Sequence, residues 1–290
     1  MKEFVVVSGK GGTGKTSVTA SLVPYFQNTV VADCDVDAPD LDILLKPEIV
    51  SREDISATNK ALFDPDKCTG CGKCLDYCRF DAIRMVDGKA TLPQKGKCEG
   101  CQVCVHICEY GAVTLVPADT GELFESKTAY GPMVHSRLIP GEEVSGRLVA
   151  MTRTRAKERA VAEGCESVLI DGPPGVACNV ISSLTGADLA LIVTEPTLSG
   201  FHDMKRVWET ACKIRVKTAI LINKSGLSEE VEQAIRDFAL ENEIPLLGEI
   251  PLSDEVRRAV NRCEIPSLAH PDYPVKGFWS GLVEKMYRIA

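Results

Sequence analysis

Phe4-Val5-Val6-Val7-Ser8-Gly9-Lys10-Gly11-Gly12-Thr13-Gly14-Lys15-Thr16 is the stretch that decides the fold. Its apolar, β-branched start predicts a buried parallel strand, and residues 17–26 behind it predict a helix. Between them, Gly9, Gly11, Gly12 and Gly14 let backbone N–H groups curl around a phosphate, and the helix N-terminus adds its positive dipole end. Lys15 is spaced to reach β- and γ-phosphates and Thr16 to offer a hydroxyl to Mg²⁺. Residues Gly9, Lys10, Gly11, Gly12, Thr13, Gly14, Lys15, Thr16 and Ser17 are therefore expected to bind ATP or ADP. The strand-loop-helix context is what separates this match from a chance glycine-rich turn.

The rest of the chain supports one large α/β unit with something smaller added. Its 290 residues are 44% hydrophobic with a mean hydropathy of 0.00, enough to bury a sizeable core. A net charge of −8 and a pI near 5.2 speak against nucleic acid as a partner held by a general positive field. No apolar run approaches a membrane span, and Met1-Lys2-Glu3 ahead of the first strand fits no signal peptide. A cytoplasmic location is expected, without a membrane partner. Apolar strands near 4–8, 29–33, 166–171, 188–194, 217–223 and 246–250 alternate with helical stretches at 153–163, 202–214 and 229–242, which predicts a doubly wound, mostly parallel sheet.

Thirteen cysteines in such a chain point to metal ligation rather than disulfides. Eight form two runs, Cys68, Cys71, Cys74, Cys78 and Cys98, Cys101, Cys104, Cys108, each spaced C-x2-C-x2-C-x3-C. Their flanks repeat too, Arg79-Phe80-Asp81-Ala82-Ile83 against Glu109-Tyr110-Gly111-Ala112-Val113. Gly70, Gly72 and Gly100 ease the wrapping of backbone around sulfide. Zinc in C-x2-C sites is the alternative, but zinc motifs seldom show two matched four-cysteine runs. The segment 64–116 resembles a bacterial-type ferredoxin domain, with Arg79 and Glu109 where that family usually has proline. The resemblance implies two [4Fe-4S] clusters, one on Cys68, Cys71, Cys74 and Cys108, the other on Cys98, Cys101, Cys104 and Cys78, because each fourth cysteine serves the other cluster.

Lys10 makes the phosphate loop K-G-G-T-G-K-T, which resembles the deviant Walker A of the MinD/Mrp/ParA class that includes the nitrogenase iron protein. Val30-Val31-Ala32-Asp33-Cys34-Asp35-Val36-Asp37 resembles its switch I, and Val168-Leu169-Ile170-Asp171-Gly172-Pro173-Pro174-Gly175 its Walker B and switch II. Lys217 to Lys224 (KTAILINK), Glu195-Pro196-Thr197 and His202-Asp203-Met204-Lys205 also match. The resemblance implies that Lys10 reaches across a homodimer to the partner's nucleotide. It implies that Asp35 positions the attacking water beside Lys15, that Thr16, Asp33 and Asp171 serve Mg²⁺, and that Asn223 and Pro251 face adenine. The whole chain resembles MinD-superfamily ATPases carrying an inserted ferredoxin domain. The expected division is 1–58 and 118–290 for the ATPase and 59–117 for the insert, with 118–150 a ribbon or linker.

Of the other cysteines, Cys34, Cys165, Cys212 and Cys263 are expected to be small buried hydrophobes. Cys178 lies at an offset from Asp171 that resembles a bridging-cluster ligand of the nitrogenase iron protein, but no second cysteine stands near 142–146, so no bridging cluster is expected. Phe278, Trp279, Leu282, Val283 and Met286 share a helical face that is expected to dock onto the core rather than a membrane. Three functions follow: ATP-gated electron transfer to a redox or metallocofactor-assembly partner, cluster delivery to apo-proteins, and a MinD/ParA-like positioning ATPase with structural or sensory clusters. Electron transfer is the expected one. Full cysteine ligation speaks against delivery, and the lack of a membrane helix against positioning.

Overall fold

The computed structural model describes residues 1–93, 95–142 and 146–290. Alternation along the first strand, β1 (Lys2–Ser8), sets the architecture: Val5 and Val7 enter one core, Phe4 and Val6 a second on the opposite face. The same division runs through β2 (Thr29–Asp33), where Val30 and Ala32 face one core and Val31 the other. A sheet buried on both faces is the condition for parallel strands joined by helical crossovers. Helices Lys15–Leu22 and Phe278–Ile289 cover one face; Gly146–Glu163, Leu198–Lys213 and Glu229–Glu241 cover the other.

The chain continues through β3 (Glu48–Ile55), β4 (Thr58–Phe63), β5 (Arg84–Val86), β6 (Lys89–Thr91), β7 (Val113–Ala118), β8 (Gly121–Thr128) and β9 (Gly131–Leu138). It closes with β10 (Ser167–Pro174), β11 (Leu189–Thr194), β12 (Lys217–Ser225) and β13 (Leu246–Pro251). Nine strands form one sheet in the order β13-β12-β11-β1-β10-β2-β9-β8-β3, parallel from β13 to β9 and antiparallel from there to β3.

Two expectations need correction and a third is sharpened. The helix behind the phosphate loop ends at Leu22 instead of 26, passing into a 3-10 turn, Val23–Tyr25, because Pro24 cannot donate the next helical bond. The later helices begin earlier than 153 and 202, at Gly146 and at Leu198, the second capped by Thr197 Oγ1, which accepts from Gly200 N at 3.0 Å. Residues 118–150, expected as a ribbon or linker, form an antiparallel ribbon, β8 and β9, that belongs to the main sheet; 143–145 of that stretch lie outside the described residues. Leu123, Phe124, Met133 and Val134 bury these strands, while the glycines that obscured them sit at strand ends.

Between β3 and β8 the chain builds a separate small unit. β4 pairs with β7 from Thr58↔Ala118 to Phe63↔Val113, β5 pairs with β6, and two short helices, Lys73–Asp76 and Val103–Ile107, carry the third cysteine of each run, Cys74 and Cys104. Its two connections run side by side: Thr120 N donates to Ile55 O (2.9 Å), and Thr120 Oγ1 accepts from Ala57 N (2.9 Å).

The C-terminal helix docks as expected. Trp279, Leu282, Val283 and Met286 are buried against Leu247 and Ile250, and Trp279 Nε1 donates to Tyr273 O at 3.0 Å. Trp279→Ala is expected to cost about 3–5 kcal/mol in a denaturant titration, the range for truncating a buried aromatic. Among the described residues no helix is long and apolar enough to cross a membrane.

Candidate functional site

Three strand ends converge beneath the phosphate loop. β1 leads into the loop, β2 ends at Asp33 and β10 carries Asp171, with Asp171 paired in register to both Val6 and Asp33. Gly14 stands at φ 88°, and a Cβ there would lie 2.3 Å from Asn223 Nδ2. That close approach lets Asn223 donate to Thr13 O at 2.7 Å. Residues 11–17 line an open cleft together with Asp35, Asp37, Pro174 and Asn179.

Lys15 is the hub of this cleft. Its Nζ lies 2.9 Å from Asp171 Oδ2 and 3.3 Å from Asp35 Oδ2, and donates to Thr16 Oγ1 at 3.2 Å. Asp171 Oδ2 also accepts from Thr16 Oγ1 (2.8 Å), and its Oδ1 from Thr19 Oγ1 (2.6 Å). Asp33, fully buried, accepts from the backbone N–H of Asp35 (3.0 Å) and Leu41 (3.2 Å), so it shapes the switch I loop. Burial opposes the charge on Lys15, but Asp171, Asp35 and Asp33 outweigh it and raise its pKa. Burial, reinforced by Asp171, holds Asp33 well above the ordinary carboxylate range, and burial raises Asp35. The arrangement concentrates negative charge around one ammonium, a set suited to sharing a divalent cation and a polyphosphate.

The resemblance assigns Lys10 to a partner's nucleotide; within the single chain its contacts are all to its own subunit. Its Nζ stays within the subunit, 2.7 Å from Glu195 Oε1, and donates to Ser199 Oγ (2.9 Å) and Thr197 Oγ1 (3.3 Å). Gly9 faces away from the cleft, because a Cβ on it would lie 2.4 Å from the Asp203 backbone. Asn223 braces the loop, while Pro251 sits on the neighbouring strand, level with Ser225, and does not line the cleft. Sequence reasoning missed Glu195, Lys224 and Thr19 as members of the site. Glu195 carried a usable signal, an acid at the C-terminal end of an apolar strand, the same pattern as Asp33.

The eight paired cysteines gather into two cavities. One is lined by Cys78, Cys98, Cys101 and Cys104 with Phe80, Ile83 and Leu115. The other is lined by Cys68, Cys71, Cys74 and Cys108 with Phe63, Met85 and Val113. Each holds three cysteines of one run and the fourth of the other. Gly70 and Gly100 occupy matching positions at φ 77° and 62°, and in both a Cβ would meet a carbonyl oxygen at 2.2 Å, Gly88 O or Asn59 O. Backbone N–H bonds from Ala90 and Gly70 lower the Cys68 pKa, whereas burial with Cys98 and Cys101 pushes Cys104 up to about 11. Of the remaining cysteines only Cys34 is fully buried; Cys178 and Cys212 are exposed and Cys165 and Cys263 half-buried. Cys212, in the final turn of its helix, faces outward from the stripe of Met204, Val207 and Ala211 that meets the core.

Residues 4–266 match the CobQ/CobB/MinD/ParA nucleotide binding domain. An uncharacterized protein of Methanocaldococcus jannaschii, MJ0578, is 36% identical over 230 residues, 78% of this chain and 79% of that protein. The septum site-determining protein MinD of Neisseria meningitidis is 26% identical over 91% of this chain and 83% of its own. In fold, the chain is similar to the septum site-determining protein MinD from Pyrococcus horikoshii complexed with Mg-ADP, with a TM-score of 0.56 and 20% identity over 98% and 95% of the two chains. These names speak of septum placement and not of electron transfer. With its phosphate loop, Lys15 and strand-end aspartates assembled on a MinD-like sheet, the chain belongs to the CobQ/CobB/MinD/ParA nucleotide-binding family and is a P-loop ATPase of the MinD/ParA kind.

Proposed function

We propose that this chain is a Mg-ATP-dependent, dimerising switch ATPase whose output element is an inserted unit, 59–117, carrying two [4Fe-4S] clusters. The donor sets fit such clusters: each cavity offers four thiols and an apolar wall, the coordination a four-iron cube requires. Bound clusters would supply one-electron redox chemistry. Such thiolates call for a reducing compartment, and we place the protein in the cytoplasm.

In the nucleotide site, Thr16 and Asp171, with Asp33 behind them, would hold Mg²⁺, which neutralises charge on β- and γ-phosphate oxygens. Lys15 would exchange its carboxylate partners for phosphate oxygens, and Asp35 would orient the attacking water.

One observation carries the coupling. Leu138 N donates to Val36 O at 3.1 Å, immediately beyond Asp35, and four residues later Glu142 holds the buried Lys60 of β4 in an ion pair. Gly96, close before Cys98, packs against Gly141 so tightly that a Cβ would meet its carbonyl oxygen. A strap of five residues thus joins switch I to the loop bearing Cys98. The names of the relatives favour a partner-positioning switch with structural or sensory clusters over electron transfer. Electron transfer stands as the second reading, favoured by Cys71 and Cys101, exposed at the rims of the two cavities. Delivery ranks last because each cavity has four cysteines of its own.

Amide hydrogen exchange on the cluster-loaded protein tests the coupling. Mg-ATP is expected to change exchange at 36–42, 138–142 and 96–101 together, with Glu142→Gln confining the change to 36–42. A wild-type response limited to 36–42 would make the insert a passenger.

A further inference from the structure

Asp171 is gripped through both of its carboxyl oxygens, and the two grips differ in kind. Oδ2 lies 2.9 Å from Lys15 Nζ and accepts from Thr16 Oγ1 at 2.8 Å, the two groups that nucleotide and metal would recruit. Oδ1 accepts from Thr19 Oγ1 at 2.6 Å, and among the described residues it has no other donor. Thr19 belongs to neither the phosphate-loop motif nor the set of strand-end acids. It is fully buried and follows Lys15 by one helical turn, so the two share a face of the helix Lys15–Leu22.

A threonine hydroxyl has one proton to donate. Thr19 Oγ1 also lies 3.0 Å from Lys15 O, but that carbonyl already serves the helical N–H of Thr19 itself. The proton is worth more on Asp171 Oδ1, a fully buried oxygen at the separation of a strong O–H···O bond to a carboxylate. The Asp171 backbone is also fixed: it pairs in register with Val6 and Asp33, and its carbonyl accepts from Cys34 N at 2.8 Å. What stays free is rotation of the carboxyl, a broad torsion in aspartate. With nucleotide bound, Lys15 would turn to phosphate and Thr16 would offer its oxygen to Mg²⁺. Thr19 is then the donor whose place does not change.

We propose that Thr19 is a positioning residue for Mg²⁺, its hydroxyl locking the Asp171 carboxyl so that Oδ2 stays presented beside Thr16 when Lys15 leaves it. The inference rests on the reading that Asp171 serves the metal. A hydrogen bond behind a metal-binding carboxylate acts on metal affinity first and on turnover through it.

Thr19→Val keeps the shape and removes the hydroxyl, whereas Thr19→Ser keeps the hydroxyl and removes the methyl. The readout is equilibrium binding of a fluorescent ADP analogue to the full chain, in EDTA and across a Mg²⁺ titration, which needs no turnover. Thr19→Val is expected to raise the half-saturating Mg²⁺ concentration by about 10–100-fold while leaving binding in EDTA unchanged, and Thr19→Ser is expected to follow wild type. In steady-state hydrolysis the Mg²⁺ requirement of Thr19→Val should rise by the same factor, with kcat recovered at saturating Mg²⁺. If Thr19→Val does not fold, Thr19→Ala against Thr19→Ser compares the same hydroxyl. An unchanged Mg²⁺ response without the hydroxyl, an equal loss of binding in EDTA, or an equal loss in Thr19→Ser overturns the positioning role. Asp171→Asn separates the two readings. If it keeps the wild-type Mg²⁺ response, the metal role of Asp171 fails and this inference with it; if it loses that response while Thr19→Val keeps it, only the role of Thr19 is overturned.

Discussion

Lys15→Ala is expected to lower ATP hydrolysis by about 10²–10³-fold, the loss seen when one preorganised cationic or hydrogen-bond donor to developing charge is removed. The same substitution is expected to destabilise the nucleotide-free protein by about 3–5 kcal/mol, because it strands carboxylates inside the fold. Asp33 and Asp171 are fully buried, and Lys15 lies within 2.9 Å of Asp171 and 3.3 Å of Asp35. Without its positive charge, Asp33 and Asp35, already raised by burial, rise further. An acid with a raised folded-state pKa gains stability as pH falls through that pKa, since the folded state then binds the extra proton. The gap between wild type and variant should therefore narrow on acidification from neutral pH, in urea titrations without Mg²⁺ or nucleotide. A gap that is constant or widens would mean that Lys15 does not neutralise these aspartates.

The nucleotide half of the molecule was legible because its signals are local. A glycine at φ 88°, a lysine at the helix start and acids at strand ends each follow from backbone geometry within a few residues. The cysteine runs were legible for the same reason, and the cavities group them as the ferredoxin resemblance implies. What escaped depends on distant partners. β8 and β9 are strands only because β2 and β3 receive them, and Gly131 and Pro132 hide that in the sequence. Nothing near Lys10 reveals that Glu195 will meet it, since the two are brought together only when β1 and β11 pair. The exposure of Cys212 likewise depends on which helical face meets the core.

The insert is the part of the account with the most to lose, and the crossed membership of its cavities gives a sharp test. Cys78 and Cys98 belong to different runs but line one cavity, while Cys68, Cys71, Cys74 and Cys108 line the other. Wild-type protein reconstituted anaerobically is expected to carry about eight irons per chain, two four-iron clusters. Removing Cys78 and Cys98 together takes both ligands from a single cluster if the cavities are the sites, and one ligand from each cluster if every run serves its own. The decisive measurement is the iron and acid-labile sulfide content of the Cys78→Ala/Cys98→Ala protein, with electron paramagnetic resonance of its reduced form. Retention of about four irons with an intact cluster signal is the predicted result; loss of nearly all iron, or a wild-type protein that takes up only zinc, would contradict a two-cluster unit built into this ATPase.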